Sequence, residues 1–206
     1  MSTFIERPLR GTVKGRPRQM IYGVGINDAP YFTNYIEESG QKRRCPFYSV
    51  WKSMLERVYS PKHHEKYPTY VGSSVTPDWL LFSNFRAWMI TQDWKNKELD
   101  KDLLSYSEKH YSPETCLFIS QAINKLLVLR TGARGKYPLG VSTSTIRGKT
   151  YITAFCSFNA KSKNLGYFNT VEEAAAAYKK AKLSYIKELA SKETNPKIQQ
   201  ALLNIY

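Results

Sequence analysis

A chain of 206 residues has room for one or two small domains, and 42% hydrophobic residues supply a real core. A formal net charge of +14 points to a polyanionic partner, either nucleic acid or an anionic membrane surface, with solubility alone as the bland alternative. No apolar run approaches the ~20 residues of a membrane span, and the first eighteen residues lack the apolar stretch of a secretory signal. Three isolated cysteines do not suggest a disulfide framework, so a soluble, intracellular protein is expected.

Met1 to Arg18 carries Arg7, Arg10, Lys14, Arg16 and Arg18 against a single acid, Glu6. With Pro8, Gly11, Gly15 and Pro17 it reads as a flexible arm, either tracking phosphates or simply solvated. Tyr22 to Ile26 reads as a short strand. After Lys42-Arg43-Arg44, Trp51, Met54, Leu55 and Val58 recur at helical spacing and mark one face. Tyr59 to Tyr70 reads as a polar loop containing His63-His64, and Val75 as part of a short strand. Pro77-Asp78-Trp79 opens a second helix. Its Trp79, Phe82, Phe85 and Trp88, with Trp94, form the expected core of a small domain, in preference to stacking on bases.

Leu99 to Leu104 is a candidate strand, Tyr111 to Glu114 a turn, Thr115 to Ile119 a strand and Gln121 to Leu129 a helix. Thr131 to Gly135 reads as a linker. Beyond it, Leu139 to Val141, Tyr151 to Phe158 and Lys163 to Phe168 read as strands. Val171 to Leu189 is a long Ala-rich helix, with Thr170 and Glu173 spaced as a capping box. Asn195-Pro196 starts a last short helix. The expected division is therefore 1–44, 45–130 and 131–206.

Charge is not spread evenly. Between Glu114 and Glu172 there is no acidic residue, while Lys125, Arg130, Arg134, Lys136, Arg147, Lys149, Lys161 and Lys163 all fall there. The strand Tyr151 to Phe158 alternates: Ile152, Ala154, Cys156 and Phe158 suit a helix. Tyr151, Thr153, Phe155 and Ser157 make the other face. A basic sheet backed by a helix suits a DNA groove, with an ordinary solvated sheet as the alternative.

The run Leu165-Gly166-Tyr167-Phe168, Thr170 and Glu172-Glu173-Ala174-Ala175-Ala176-Ala177-Tyr178 resembles the ethylene-response-factor (APETALA-two) DNA-binding domain. Tyr137 to Val141 resembles that family's opening strand. The resemblance implies a three-stranded sheet in the major groove with a helix behind it. By position, the contacts would come from Ser142, Thr143, Arg147, Lys149, Tyr151 and Thr153, with Arg134 and Lys136 leading in. Ser142-Thr143-Ser144 stands where Arg-rich residues are usual, so no target sequence carries over.

Cys45 to Leu127 resembles phage-type HNH homing endonucleases through Trp51-x-x-Met54-Leu55-x-Arg57, Trp79-x-x-Phe82-x-x-Phe85, Leu99-Asp100-Lys101-Asp102, Tyr111-Ser112-Pro113-Glu114-x-Cys116 and Asn124. The fold class implied is α+β: a small ββα-metal-type HNH-like domain, then a three-stranded antiparallel sheet packed on one helix. The resemblance implies a phage-encoded protein acting in a bacterial host. It also implies a divalent metal, Mg or Mn, held by Asp100 or Asp102 and by Asn124, stabilising charge on a scissile phosphate. Where that family has its catalytic His, this chain has Lys101, a poor base at an ordinary lysine pKa. His110 is the candidate substitute, with His63-His64 another. A structural zinc is not expected, because no C-x-x-C pair exists. The function expected is a site-specific, metal-dependent DNA endonuclease. The alternatives are a DNA-binding regulator with a dead nuclease fold, and a protein that inhibits another nucleic-acid machine.

Overall fold

The computed structural model describes residues 4–9, 20–104, 108–127, 136–158 and 161–205. Arg10, Lys14, Arg16 and Arg18 of the basic arm, and Arg134 of the linker, lie outside the described residues. The chain divides into two compact units, Met1–Phe118 and Ile119–Tyr206. That division comes earlier than the expected boundary at 130/131, and residues before Cys45 belong to the first unit's core.

In the first unit, Phe4 to Leu9 is tied down: the Leu9 N–H donates to the Pro30 carbonyl and the Phe32 N–H to the Arg7 carbonyl. Tyr22 to Ile26 is a turn and not the expected strand. Tyr22 and Gly23 have φ of 52° and 77°, and the Ile21 N–H bonds back to the Gly25 carbonyl at 2.8 Å. Gly25 is required there, because a Cβ would stand 2.3 Å from Leu55. Strands β1 (Asn34–Ile36) and β2 (Lys42–Arg44) form a hairpin.

Helix α1 (Pro46–Tyr59) buries Trp51, Met54, Leu55 and Val58, the face its periodicity marks. The Trp51 indole donates to the Trp79 carbonyl at 2.6 Å, so the core's largest side chain leaves no polar atom stranded. The expected loop after it holds a short helix, α2 (Pro61–Lys66), capped by the Ser60 hydroxyl. Strand β3 (Ser74–Val75) follows, then a 3-10 turn at Pro77–Leu80 and helix α3 (Phe82–Ile90). Pro77 therefore opens a separate 3-10 turn, with extended Leu81 between it and α3. Trp79, Phe82 and Phe85 are buried, which makes them core and leaves no ring face for a base.

Strand β4 (Glu98–Asp100) ends sooner than expected, since residues 101–104 turn. Strand β5 (His110–Tyr111) pairs parallel with β3, and β6 (Leu117–Ile119) pairs with β4. Helix α4 (Gln121–Leu127) comes next in the chain, so the paired strands β4 and β6 lead into a helix, with β5 between them in sequence.

The second unit carries an antiparallel sheet in the order β7 (Val141–Ile146), β8 (Lys149–Phe158), β9 (Lys161–Phe168). Helix α5 (Val171–Lys192) packs on one face. Val141, Ala154 and Ala174 are buried between sheet and helix, with Ile152, Leu165 and Phe168 around them. Phe158 meets Tyr185 edge-on at 5.0 Å. The small residues let sheet and helix approach closely: a Cβ on Gly140 would lie 2.0 Å from the Tyr178 ring. The capping box forms as expected, with the Thr170 hydroxyl accepting from the Glu173 N–H at 3.2 Å and the Glu173 carboxylate accepting from the Thr170 N–H. Helix α6 (Pro196–Leu203), capped by Asn195, buries Ile198 and Leu202. The fold is thus α+β, with a three-stranded antiparallel sheet on a helix. Among the described residues, no helix is long and apolar enough to cross a membrane.

Candidate nucleic-acid interface

Sheet register sorts the expected contact residues into two faces. Ser142 pairs with Thr153, Ser144 with Tyr151, and Thr153 with Tyr167, so these five share the face turned away from α5. Thr143 pairs with Ile152, a residue of the helix-side cluster. Adjacent strand residues point to opposite faces, so Ser142 and Thr143 lie on different faces, with Thr143 exposed on the face of Ile152. Thr153 sits on the outer face but is 0% exposed, and its hydroxyl donates to the Ser142 carbonyl at 3.2 Å. It is a structural bond in the sheet and is out of reach of DNA.

The cations also fall differently from the pattern of sequence. Lys161 and Lys163 pair with Phe158 and Cys156, both on the helix side. The outer face itself has its basic residues at one end, in the β7–β8 hairpin. Lys149 lies over the Tyr151 ring, 5.4 Å from its centre. Arg147 and Gly148 form the two-residue tip, with φ of 48° and 77°, as a type I′ turn requires. Arg147 is an unusual occupant, because a left-handed backbone costs a non-glycine residue roughly 1–2 kcal/mol. Lys136 is exposed ahead of β7. Tyr167, which the sequence reading passed over, is 53% exposed and packs edge-on against Tyr151 at 5.5 Å. Alternation counted back from the buried side of Phe168 would have placed it outward.

The expected catalytic residues occupy the first unit and the start of the second. Asp100 ends β4 and is 8% exposed. One of its oxygens accepts from the N–H groups of Asp102, at 3.1 Å, and Leu103, at 2.8 Å. Burial raises its pKa above the ordinary carboxylate range, against the lowering by those two N–H bonds, with the Asp102 charge adding to the rise. Lys101 is 4% exposed, and its ammonium pairs with the more open Asp102 carboxylate at 2.5 Å. The same ammonium lies 5.7 Å from the Tyr111 ring centre and 6.0 Å from that of Tyr70.

Arg57, noted earlier only as part of a motif, completes this cluster. It donates to the Leu99 carbonyl at 3.3 Å and faces the Tyr70 ring from 6.0 Å. Burial lowers its pKa, but the Tyr111 and Tyr70 oxygens more than offset that, and the net shift is upward. Burial likewise raises the Tyr111 phenol, with Arg57 opposing. Burial pushes the Cys116 thiol up to about 12, so it is not a thiolate at neutral pH.

His110 opens β5, and its Nδ1 shares a 2.7 Å hydrogen bond with the Ser74 hydroxyl. The His64 ring bonds to the Arg57 carbonyl at 2.9 Å, and His63 packs on Tyr67 and Tyr70. Asn124 belongs to the second unit, on α4, where its N–H donates to the Ser120 carbonyl. Cys45, Cys116 and Cys156 are buried free thiols.

The two acids on which the resemblance places a divalent metal already have partners within the protein. One Asp102 oxygen holds the Lys101 ammonium, and one Asp100 oxygen holds two backbone N–H groups. Among the described residues, no three His, Cys, Asp or Glu side chains converge on one point. What the cluster can do chemically is hold a buried cation against two phenol rings and an acid, which pins the turn after β4. No protein-family model, curated protein or solved structure matches the chain.

Proposed function

We propose that this protein binds double-stranded DNA through the outer face of its β7–β8–β9 sheet. The observation that carries the reading is a sheet face free of acidic residues, ending in a hairpin that holds Arg147 in a costly left-handed turn beside Lys149. A non-glycine residue kept in such a turn beside a second cation is a candidate for a side-chain task. The outer strands of such a sheet lie about 10 Å apart, which suits a major groove about 12 Å wide. The acids return on α5, at Glu172 and Glu173, after the last strand has ended. The test is duplex binding against salt. Reversing both charges, Arg147→Glu with Lys149→Glu, weakens binding and flattens its salt dependence. Unchanged affinity would remove the sheet as the binding surface.

A second reading, metal-dependent DNA cleavage, is favoured by the pairing of β4 with β6 just ahead of α4, two paired strands and a helix as the resemblance implies. It predicts nicking of duplex DNA with Mg²⁺ or Mn²⁺, lost in the Asp100→Ala, Asp102→Ala double variant. Binding with no cleavage under either metal leaves the protein a DNA-binding regulator.

A further inference from the structure

The outer sheet face is less polar than its composition suggests. Thr153 at its centre is fully buried, and the Ser142 and Ser144 hydroxyls lie 3.1 and 3.4 Å from its oxygen. These hydroxyls engage one another. What stands out beside them is ring carbon, tipped by phenol hydroxyls: Tyr167, 53% exposed, and the Tyr151 ring packed against it. The charges stand at the hairpin end, at Arg147 and Lys149. Cations at the end suit phosphates, while the centre meets base edges with ring carbon.

Of the four bases, only thymine turns a carbon group, its C5 methyl, into the major groove. Cytosine turns an amino group there and guanine two acceptors. Adenine carries such polar groups as well, so toward ring carbon an A·T and a G·C pair differ chiefly in that methyl, which a ring covers favourably. We infer, resting on the proposed duplex binding, that Tyr151 and Tyr167 read thymine methyl groups and set a preference for A·T pairs. Tyr167 is the leading contact, since it is the more open ring, and Tyr151 holds it in place.

The experiment uses the full chain and two duplex pools with a randomised core, identical except that one is synthesised with thymine and the other with uracil. Fluorescence anisotropy competition at fixed salt reads the preference. Thymine duplexes bind better by about fourfold for each methyl covered, the worth of burying one such group. Tyr167→Ala removes the thymine preference and lowers affinity for thymine duplexes, while the salt slope, set by Arg147 and Lys149, stays as in the wild type. Because Tyr167 is half exposed, this variant keeps its fold, which circular dichroism checks. As a second probe, replacing cytosine by 5-methylcytosine in a G·C-rich duplex raises affinity for the wild type and not for Tyr167→Ala. Equal binding of thymine and uracil pools, with salt-sensitive binding intact, overturns methyl reading and leaves duplex binding standing. Absence of binding to every duplex overturns both.

Discussion

The substitution Arg147→Asn separates function from stability at one position. Arg147 and Gly148 are the two central residues of the β7–β8 hairpin, both with positive φ. Asn-Gly is the preferred pair for such a turn, because asparagine tolerates the left-handed region that arginine enters at a cost. The variant should therefore be as stable as the wild type, or more stable by about 0.5–1 kcal/mol. Binding moves the other way. One lost phosphate contact lowers the slope of log affinity against log salt by about 0.9, which is about fivefold in affinity at 0.15 M salt. The assay is anisotropy titration of a labelled duplex between low and physiological salt, beside denaturant unfolding of the same samples. An unchanged slope refutes the placement of Arg147 on a phosphate. A loss of stability refutes the reading of the turn.

Three further outcomes test the packing and the buried acid. Asp100→Asn keeps an acceptor for the Asp102 and Leu103 N–H groups while removing a buried charge, and Asp100→Ala leaves both N–H groups without their acceptor, costing about 1–3 kcal/mol in urea unfolding. The folded state raises the Asp100 pKa, so it favours the protonated acid, and the penalty of the charge appears as pH rises through that raised value. Asp100→Asn should therefore gain over the wild type at neutral pH and lose that gain in acid; a gain that does not depend on pH would point to another cause. Gly140→Ala puts a methyl group into the Tyr178 ring at a φ of +78°, and should cost roughly 2–4 kcal/mol of thermal stability in the second unit. Thr170→Ala removes the cap of α5 and should cost about 1 kcal/mol, read as a lower midpoint in thermal unfolding.

Much of the fold follows from local pattern. The helical spacing of Trp51, Met54, Leu55 and Val58 and the Thr170–Glu173 box each act within a few residues, so a single chain displays them. The misread segments depend on distant partners. Tyr22 to Ile26 alternates like a strand, but Gly25 is there because Trp51 and Leu55 press on it from α1. Leu99 to Leu104 has the composition of a strand, but Asp100 uses its carboxylate to turn the backbone at the next residues. Asn34 to Arg44 has too few apolar residues to announce its hairpin, which is set by pairing across the turn and by the Arg43–Glu37 ion pair at 2.8 Å.

The site was legible in residue type and less so in facing. Composition put the cations in one stretch of chain, but register decides which cations share a surface. Period two sends Ser142 outward and Thr143 back toward the helix side, and it sends Lys161 and Lys163 there as well. The surface left is narrower and more aromatic than a count of charges implies, with its basic residues gathered at one hairpin. The same reasoning changes the sense of Lys101. In sequence it stands as a defect in a catalytic motif. In the fold it is a buried ammonium held by Asp102 and the Tyr70 and Tyr111 rings, close to a half-buried Arg57 that shares Tyr70. Replacing such a lysine by histidine would leave Asp102 without its close cation, so restoring the motif and keeping the turn are opposed demands. In the first unit this cation is thus part of the packing beside the aromatic core, and the DNA-binding proposal rests on the second.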